Sequence, residues 1–226
     1  MAKALVTWGG WDGHEPDKVA ALCAGWLQQA GFTVEVTDTL SCFDDPAALS
    51  DLSLIVPVWT MSEISDAQAK NACAAVASGV GIAGCHGGMC DAFRANVDWQ
   101  FMTGAQWVAH PGNDGRDYVV IITGRNEITD GLSDFPVRSE KYYMHVDPAI
   151  RVLATTTFED YNDTLMPVTW TKTYGAGRVF YCSLGHHADI VAMPPVLSMM
   201  SRGMRWAAGE WGAAMGVPFA QAYRAG

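Results

Sequence analysis

The sequence predicts an α/β fold, a mainly parallel central sheet with helices on both of its faces. Three observations lead there. Strand-like and helix-like segments alternate through the first half of the chain. The strand-like segments are short and apolar at nearly every position, and several run straight into glycine-containing loops. A strand that is apolar on both sides is buried on both sides, the condition of a parallel strand covered by crossover helices.

In chain order, Ala4 to Trp8 reads as the first buried strand, ending in Gly9-Gly10. Pro16 to Ala30 carries Val19, Ala20, Leu22, Cys23, Trp26 and Leu27 at helical spacing, with Pro16 in the first turn and Gly31 as the stop. Phe32 to Val36 is the second strand and Leu52 to Val58 the third. Ser65 to Ala77 predicts a helix, capped by Ser65 and Asp66 and closed by Gly79. Val80 to Cys85 is the fourth strand, followed at once by His86-Gly87-Gly88. The second half is richer in strands: Tyr118 to Thr123, Val152 to Thr157, Pro167 to Thr173 and Val179 to Leu184. Tyr174-Gly-Ala-Gly177 is a turn between the last two. A closing helix from about Pro195 to Ala208 places Val196, Met199, Met200, Gly203, Met204 and Trp206 on its packing side. Residues 212–226 are expected to pack loosely or against a partner.

The chain has 226 residues, 24 acidic and 14 basic side chains and a formal charge of −10; it is 50% hydrophobic and 17% charged. That apolar fraction excludes a disordered chain. At roughly 100–200 residues per domain, one domain over residues 1–226 is expected, with its core at about 3–209 and a tail over 210–226. No cluster of Lys and Arg exists to bind phosphates, so nucleic acid is not expected as a partner. The six cysteines (Cys23, Cys42, Cys73, Cys85, Cys90 and Cys182) show no C-x-x-C spacing. The first residues lack the basic and apolar pattern of a secretory leader, and no apolar run approaches ~18 residues. A cytoplasmic location with reduced thiols and no membrane contact is expected. The nine tryptophans are compatible with a buried interface in a homo-oligomer.

In an open parallel sheet, ligands bind beyond the carboxyl ends of the strands. His14 follows the first strand, His86 the fourth, and His186 and His187 the last clear one. Loops that leave parallel strands at one end can bring their histidines together, and three imidazoles suit a catalytic metal with an open position. His110 and His145 lie outside clear regular structure. Gly84-Cys85-His86-Gly87-Gly88 has the small flanking residues of a sharp strand-to-helix turn that lifts one side chain above the sheet. Two registers fit it. One puts His86 at the tip; the other puts Cys85 there, a nucleophile needing a base such as His187 oriented by Asp189. Glu140 and Tyr142 sit in an aromatic, mixed-charge loop from Arg138 to His145, where a carboxylate beside a phenol offers base and acid or metal ligand and substrate anchor. Trp59, Trp99, Phe101 and Trp107 are candidate walls of a sugar pocket.

These segments together resemble the ThuA-like (trehalose utilisation) family from Leu5 to about Ala208. The resemblance is carried by Gly13-His14, by Gly79 to Gly87 ending in Cys-His-Gly, and by Phe101-Met-Thr-Gly-Ala-Gln-Trp-Val-Ala-His-Pro-Gly112. It is completed by Ser139-Glu-Lys-Tyr-Tyr-Met-His-Val-Asp-Pro148 and by Pro167-Val-Thr-Trp170 through Gly-His186. The chain departs at Ala105, where a second Gly is common, and at His187, an added histidine. The resemblance implies a flavodoxin-like three-layer sandwich of the class I glutamine amidotransferase-like superfamily. It favours His86 at the tip, where that superfamily normally has Cys, and so puts amidotransfer in doubt. It also implies a role in the use of disaccharides such as trehalose and their 3-keto derivatives.

The functional expectation is a metal-assisted enzyme acting on such a sugar by isomerisation, elimination or hydrolysis. His86, Glu140, Tyr142 and His186 are the catalytic candidates, and His14, Trp107, His110 and His145 the substrate-binding ones. The candidate ligands of a divalent transition metal, zinc or similar, are His86, His145 and His186. The alternatives are a thiol hydrolase using Cys85 with His187 and Asp189, and a non-catalytic sugar-binding module.

Overall fold

A computed structural model describes residues 2–124, 126–212 and 216–222 of the chain. The elements run β1 (Lys3–Gly10), α1 (Pro16–Gln29), β2 (Thr33–Thr37), α2 (Pro46–Ser50), β3 (Leu54–Thr60), α3 (Asp66–Ser78) and β4 (Gly81–Cys85). They continue with α4 (Gly87–Cys90), α5 (Val97–Thr103), β5 (Ala105–Ala109), β6 (Arg116–Ile122), β7 (Phe135–Ser139) and β8 (Tyr143–Val146). The last are β9 (Arg151–Phe158), β10 (Thr164–Tyr174), β11 (Gly177–Cys182), α6 (Ala188–Val191), α7 (Pro194–Ala207), β12 (Val217–Pro218) and α8 (Phe219–Ala222).

The main sheet has the order β2-β1-β3-β4-β11-β10-β9-β6-β7, with β12 added against β9. From β2 to β11 every neighbouring pair is parallel. From β11 onward the pairs are antiparallel. The result is an α/β fold with a mixed sheet whose parallel half carries the expected strand–helix alternation. The Gly175-Ala176 turn closes the β10–β11 hairpin, pairing Tyr174 with Gly177.

Alternation along the strands divides the core in two. On β1, Ala4 and Val6 face one cluster with Val19 and Leu27 of α1 and the methionines of α7. Leu5 faces the other, with Ala72 and Val76 of α3 and Trp99 of α5. Helix α3 begins with a reciprocal capping box, the Ser65 hydroxyl accepting from Gln68 N–H and the Gln68 side chain returning to Ser65 N–H. Helix α7 buries the expected stripe, Val196, Met199, Met200, Gly203, Met204 and Trp206.

The structure differs from expectation in the second half. The segment from Arg138 to His145 is not one loop: β7 ends at Ser139, a short link holds residues 140–142, and β8 begins at Tyr143. Strands β5 and β8 form a separate two-stranded sheet, Gln106 pairing with His145. Neither carries a continuous apolar run, so periodicity did not mark them. In the tail, Val217 and Pro218 pair with β9 and Ala222 is buried, whereas residues 213–215 and 223–226 lie outside the described residues. Among the described residues no helix is long and apolar enough to cross a membrane.

Candidate metal centre

The site is assembled at the carboxyl ends of four neighbouring parallel strands. After β1, a single 3-10 turn over Asp12–His14 buries His14, and Glu15 follows in the left-handed conformation before Pro16 starts α1. At the end of β3, Thr60 lies beneath it, its Oγ1 2.8 Å from His14 Nδ1. After β4 the chain turns sharply at His86, whose φ of 49° and ψ of −136° place it in a region L-residues rarely occupy. Its backbone N–H donates to Cys182 O at 2.7 Å, so the turn is bound to β11. After β11 the chain continues through Ser183 and Gly185 to His186, which is buried. The Glu15 carboxylate accepts from Ala188 N–H at 3.0 Å and joins the first and last of these loops.

Glu140 completes the group from the far half of the fold. Its backbone carbonyl accepts a 2.8 Å hydrogen bond from the buried Tyr118 hydroxyl on β6. Lys141 points the opposite way, packs its ammonium over the Tyr118 and Phe158 rings and pairs with Glu159. That alternation aims Glu140 and Tyr142 at the histidines.

Glu140 Oε2 lies 3.1 Å from His86 Nε2, 3.3 Å from His186 Nδ1 and 3.9 Å from His14 Nε2. The donor atoms of His14, His86, His186 and Glu140 all fall within 4.8 Å of one another, and all four residues are buried. Ligands about 2.0–2.1 Å from a tetrahedral metal stand about 3.3–3.4 Å apart, close to these spacings. The tautomers point the same way. His86 Nδ1 lies 2.8 Å from the Ser183 carbonyl, which only accepts, so Nδ1 carries a proton, and Nε2, 3.1 Å from Glu140 Oε2, is the nitrogen that would turn its lone pair to a bound cation. His186 Nδ1 is buried without a hydrogen-bond partner. Such an orphaned nitrogen beside a carboxylate fits a cation between them.

The electrostatics agree. Burial, with His86 and His186 alongside, pushes the His14 imidazole down to about 2, so it is neutral at pH 7. Burial also lowers His86, against the opposing effect of Glu140 and Ser183. For Glu140, burial alone would raise the carboxyl, but the His186 and His86 rings outweigh it and hold it well below the usual carboxylate range. Neutral imidazoles around an ionised carboxylate are the donor set that zinc and similar ions prefer.

A cleft of about 430 Å³ opens over this group, lined also by Trp11, Met61, Asp91, Arg94, Trp107, His110, Asn113, Asp114 and Tyr142. The Tyr142 ring stacks on His86 at 4.0 Å, and His110 Nδ1 lies 3.7 Å from the other Glu140 oxygen, Oε1.

The structure therefore brings His14, His86, Glu140 and His186 to one point and sets Tyr142, Trp107 and His110 around it. His145 stands apart and corrects the expected ligand set. It is exposed on β8, where pairing with Gln106 turns it away from the centre, and it borders a different pocket. Cys85 is likewise not seated as a nucleophile. It is the last residue of β4, its side chain is 3% exposed, and burial beside Cys23 and Cys182 pushes its thiol well above the usual range. Asp189 is exposed and accepts from Ile190 N–H at 2.8 Å, which ties its carboxylate to its own short helix. Of the other candidate walls, Trp99 is core, donating its indole N–H to Met89 O at 3.0 Å, and Phe101 is exposed at a separate pocket. Trp59 packs against Gly9. Sequence reasoning missed Thr60, Asp91, Arg94, Asn113 and Asp114. Only Asp91 and Arg94 left a signal, a carboxylate and a guanidinium three residues apart just beyond the turn.

The family described as trehalose utilisation, ThuA, matches residues 3–207. No curated protein matches the chain. Among solved structures, a putative ThuA-like protein from Parabacteroides merdae superposes with a TM-score of 0.75 at 18% identity, over 96% of this chain and 94% of that one. A second, from Bacteroides uniformis, has a TM-score of 0.75 at 17% identity, over 97% and 95%. A cytoplasmic protein of Salmonella typhimurium has a TM-score of 0.66 at 12% identity, over 91% and 99%. These likenesses show the fold, and the family match spans almost the whole chain. The chain belongs to the ThuA, or trehalose utilisation, family.

Proposed function

We propose that this protein is a metal-assisted enzyme of sugar utilisation that acts on a keto derivative of a disaccharide such as trehalose, by isomerisation, elimination or hydrolysis. The reading is carried by one observation, the convergence of three imidazole nitrogens and one carboxylate oxygen inside a cleft. His14, His86, His186 and Glu140 would hold a divalent transition metal, which when bound polarises a carbonyl and so acidifies the neighbouring C–H. Thr60 and the Ser183 carbonyl orient two of the imidazoles. Glu140 Oε1 lies 3.7 Å from His110 Nδ1, on the side away from the three histidines that would hold the metal, and is the carboxylate oxygen placed to take a proton from the substrate. Burial raises the Tyr142 phenol well above its usual range, which keeps it protonated as a donor to a substrate oxygen.

The test is turnover of the 3-keto derivative of trehalose, followed by NMR. Glu140→Gln and Tyr142→Phe are expected to lower the rate by about 100-fold or more and about tenfold or more, respectively. Undiminished turnover in Glu140→Gln sinks the assignment.

A further inference from the structure

A second group of donors stands at the mouth of the cleft. Donor atoms of Asp114, His186 and His187 all fall within 4.8 Å of one another, and His186 also belongs to the buried group. Two imidazoles and one carboxylate hold a divalent transition metal from one side and leave its remaining positions open.

These residues come from two loops. Asp114 lies on the cleft rim in the turn after β5, where Asn113 and Gly115 take positive φ values of 54° and 83°. Its Oδ1 accepts from Gly115 N–H at 2.8 Å, which fixes the carboxylate on its own turn. His186 and His187 lie in the connection from β11 into α6, and their ring centroids are 4.0 Å apart. The bond from Ala188 N–H to Glu15 ties the backbone just after His187 to the loop after β1. Both sides of the group are therefore held in place by the backbone around them.

Exposure falls in sequence through the two groups. Asp114 is exposed, His187 half-buried, and His186, His14, His86 and Glu140 are buried. An ion bound for the inner group has to leave its water, and shedding the whole hydration shell in one step is costly. The outer group divides that step. The Asp114 carboxylate attracts the hydrated cation first, the two imidazoles replace further waters, and His186 is common to both groups. Arg94, the basic side chain of the cleft wall, is bound to Asp91 by two hydrogen bonds, so its charge is neutralised beside the approach.

We propose that Asp114, His187 and His186 form a loading site for a divalent transition metal, which passes from there to His14, His86 and Glu140 with His186 as the shared ligand. Bonds to Asp114 and His187 form as waters leave, and break as those to the inner ligands form; no electron is transferred. The inference rests on the metal reading above for the destination of the ion and adds the route. Because the groups share a ligand, they are filled in turn and one ion per chain is bound at saturation.

The test is stopped-flow mixing of the chelator-treated full chain with Co2+, following the visible absorption of the ligated ion, with equilibrium affinity and stoichiometry measured on the same samples. Asp114→Asn and His187→Ala are each expected to slow loading by about tenfold or more while affinity, stoichiometry and melting temperature are retained. Release into excess chelator should slow by the same factor, since a change confined to the route leaves the equilibrium untouched. Glu35→Gln, which removes an exposed carboxylate from the edge strand β2, is expected to load at the unmodified rate and so excludes a general effect of net charge. Unchanged loading in both site variants, equal slowing in Glu35→Gln, lost affinity at an unchanged loading rate, or two ions per chain at saturation overturns the proposal. Uptake at unchanged rates in the variants removes the loading site and leaves the inner centre standing. An unmodified protein that takes up no ion overturns both.

Discussion

At the residue scale, the imidazoles are set by what lies behind them. His14 Nδ1 faces Thr60 Oγ1 and His86 Nδ1 faces the Ser183 carbonyl, so each ring is oriented before any ligand arrives. Thr60→Val keeps the side-chain shape and removes the hydroxyl; metal affinity is expected to fall about 10–100-fold, measured by competition with a chelating dye, without loss of fold. The four converging residues were all visible in the sequence as loop histidines at strand ends and a carboxylate in an aromatic segment. Thr60 was not, because a threonine that closes an apolar strand carries no pattern of its own. Cys85 illustrates the opposite case, a residue whose motif admitted chemistry that its burial denies. In the native protein iodoacetamide is expected to spare Cys85 and to react first at the half-buried Cys42, as read by peptide mapping; rapid alkylation of Cys85 would restore the thiol alternative.

At the scale of the element, the turn from β4 into α4 carries the most constraint. His86 holds a positive φ, a conformation that costs about 1–3 kcal/mol in a non-glycine residue. His86→Gly is therefore expected to unfold at a higher denaturant concentration than His86→Ala, while both lose the metal. Gly87 has no room for a side chain: a Cβ there would stand 2.7 Å from Thr60 Oγ1 and 2.8 Å from His14 Cε1. Gly87→Ala is expected to cost about 1–3 kcal/mol of stability and to weaken metal binding, because the clash pushes on both a ligand and its support. Equal affinity in Gly87→Ala would show that the turn does not position His14. The glycines of this turn were legible from sequence, and so were β1, β3 and β4, whose apolar runs are long and unbroken. Strands β5, β7 and β8 were not, since their alternating polar residues answer to a sheet edge and a cleft rather than to a two-sided core.

At the scale of the whole molecule, the parallel half supplies the histidines and the remainder supplies Glu140, Tyr142 and the Trp107 wall, so the site exists only when both are folded together. Its buried groups make acid destabilising. Between the ordinary histidine value of about 6.5 and about 2, an unfolded chain protonates His14 and the folded chain does not, so stability is full above that range and is lost as pH falls through it. Glu140, held low in the fold, adds loss in the same direction at more acid pH. Chelator-treated protein is expected to melt at a lower temperature at pH 5 than at pH 7.5, with a shallower pH dependence in His14→Gln; an unchanged melting temperature would contradict the burial of neutral imidazoles. The central claim is the metal centre itself, and elemental analysis of the purified protein tests it most directly. One transition-metal ion per chain is predicted, lost on replacement of His86 or His186 by alanine and kept in His145→Ala. Protein without stoichiometric metal, with turnover that a chelator does not alter, would contradict the account.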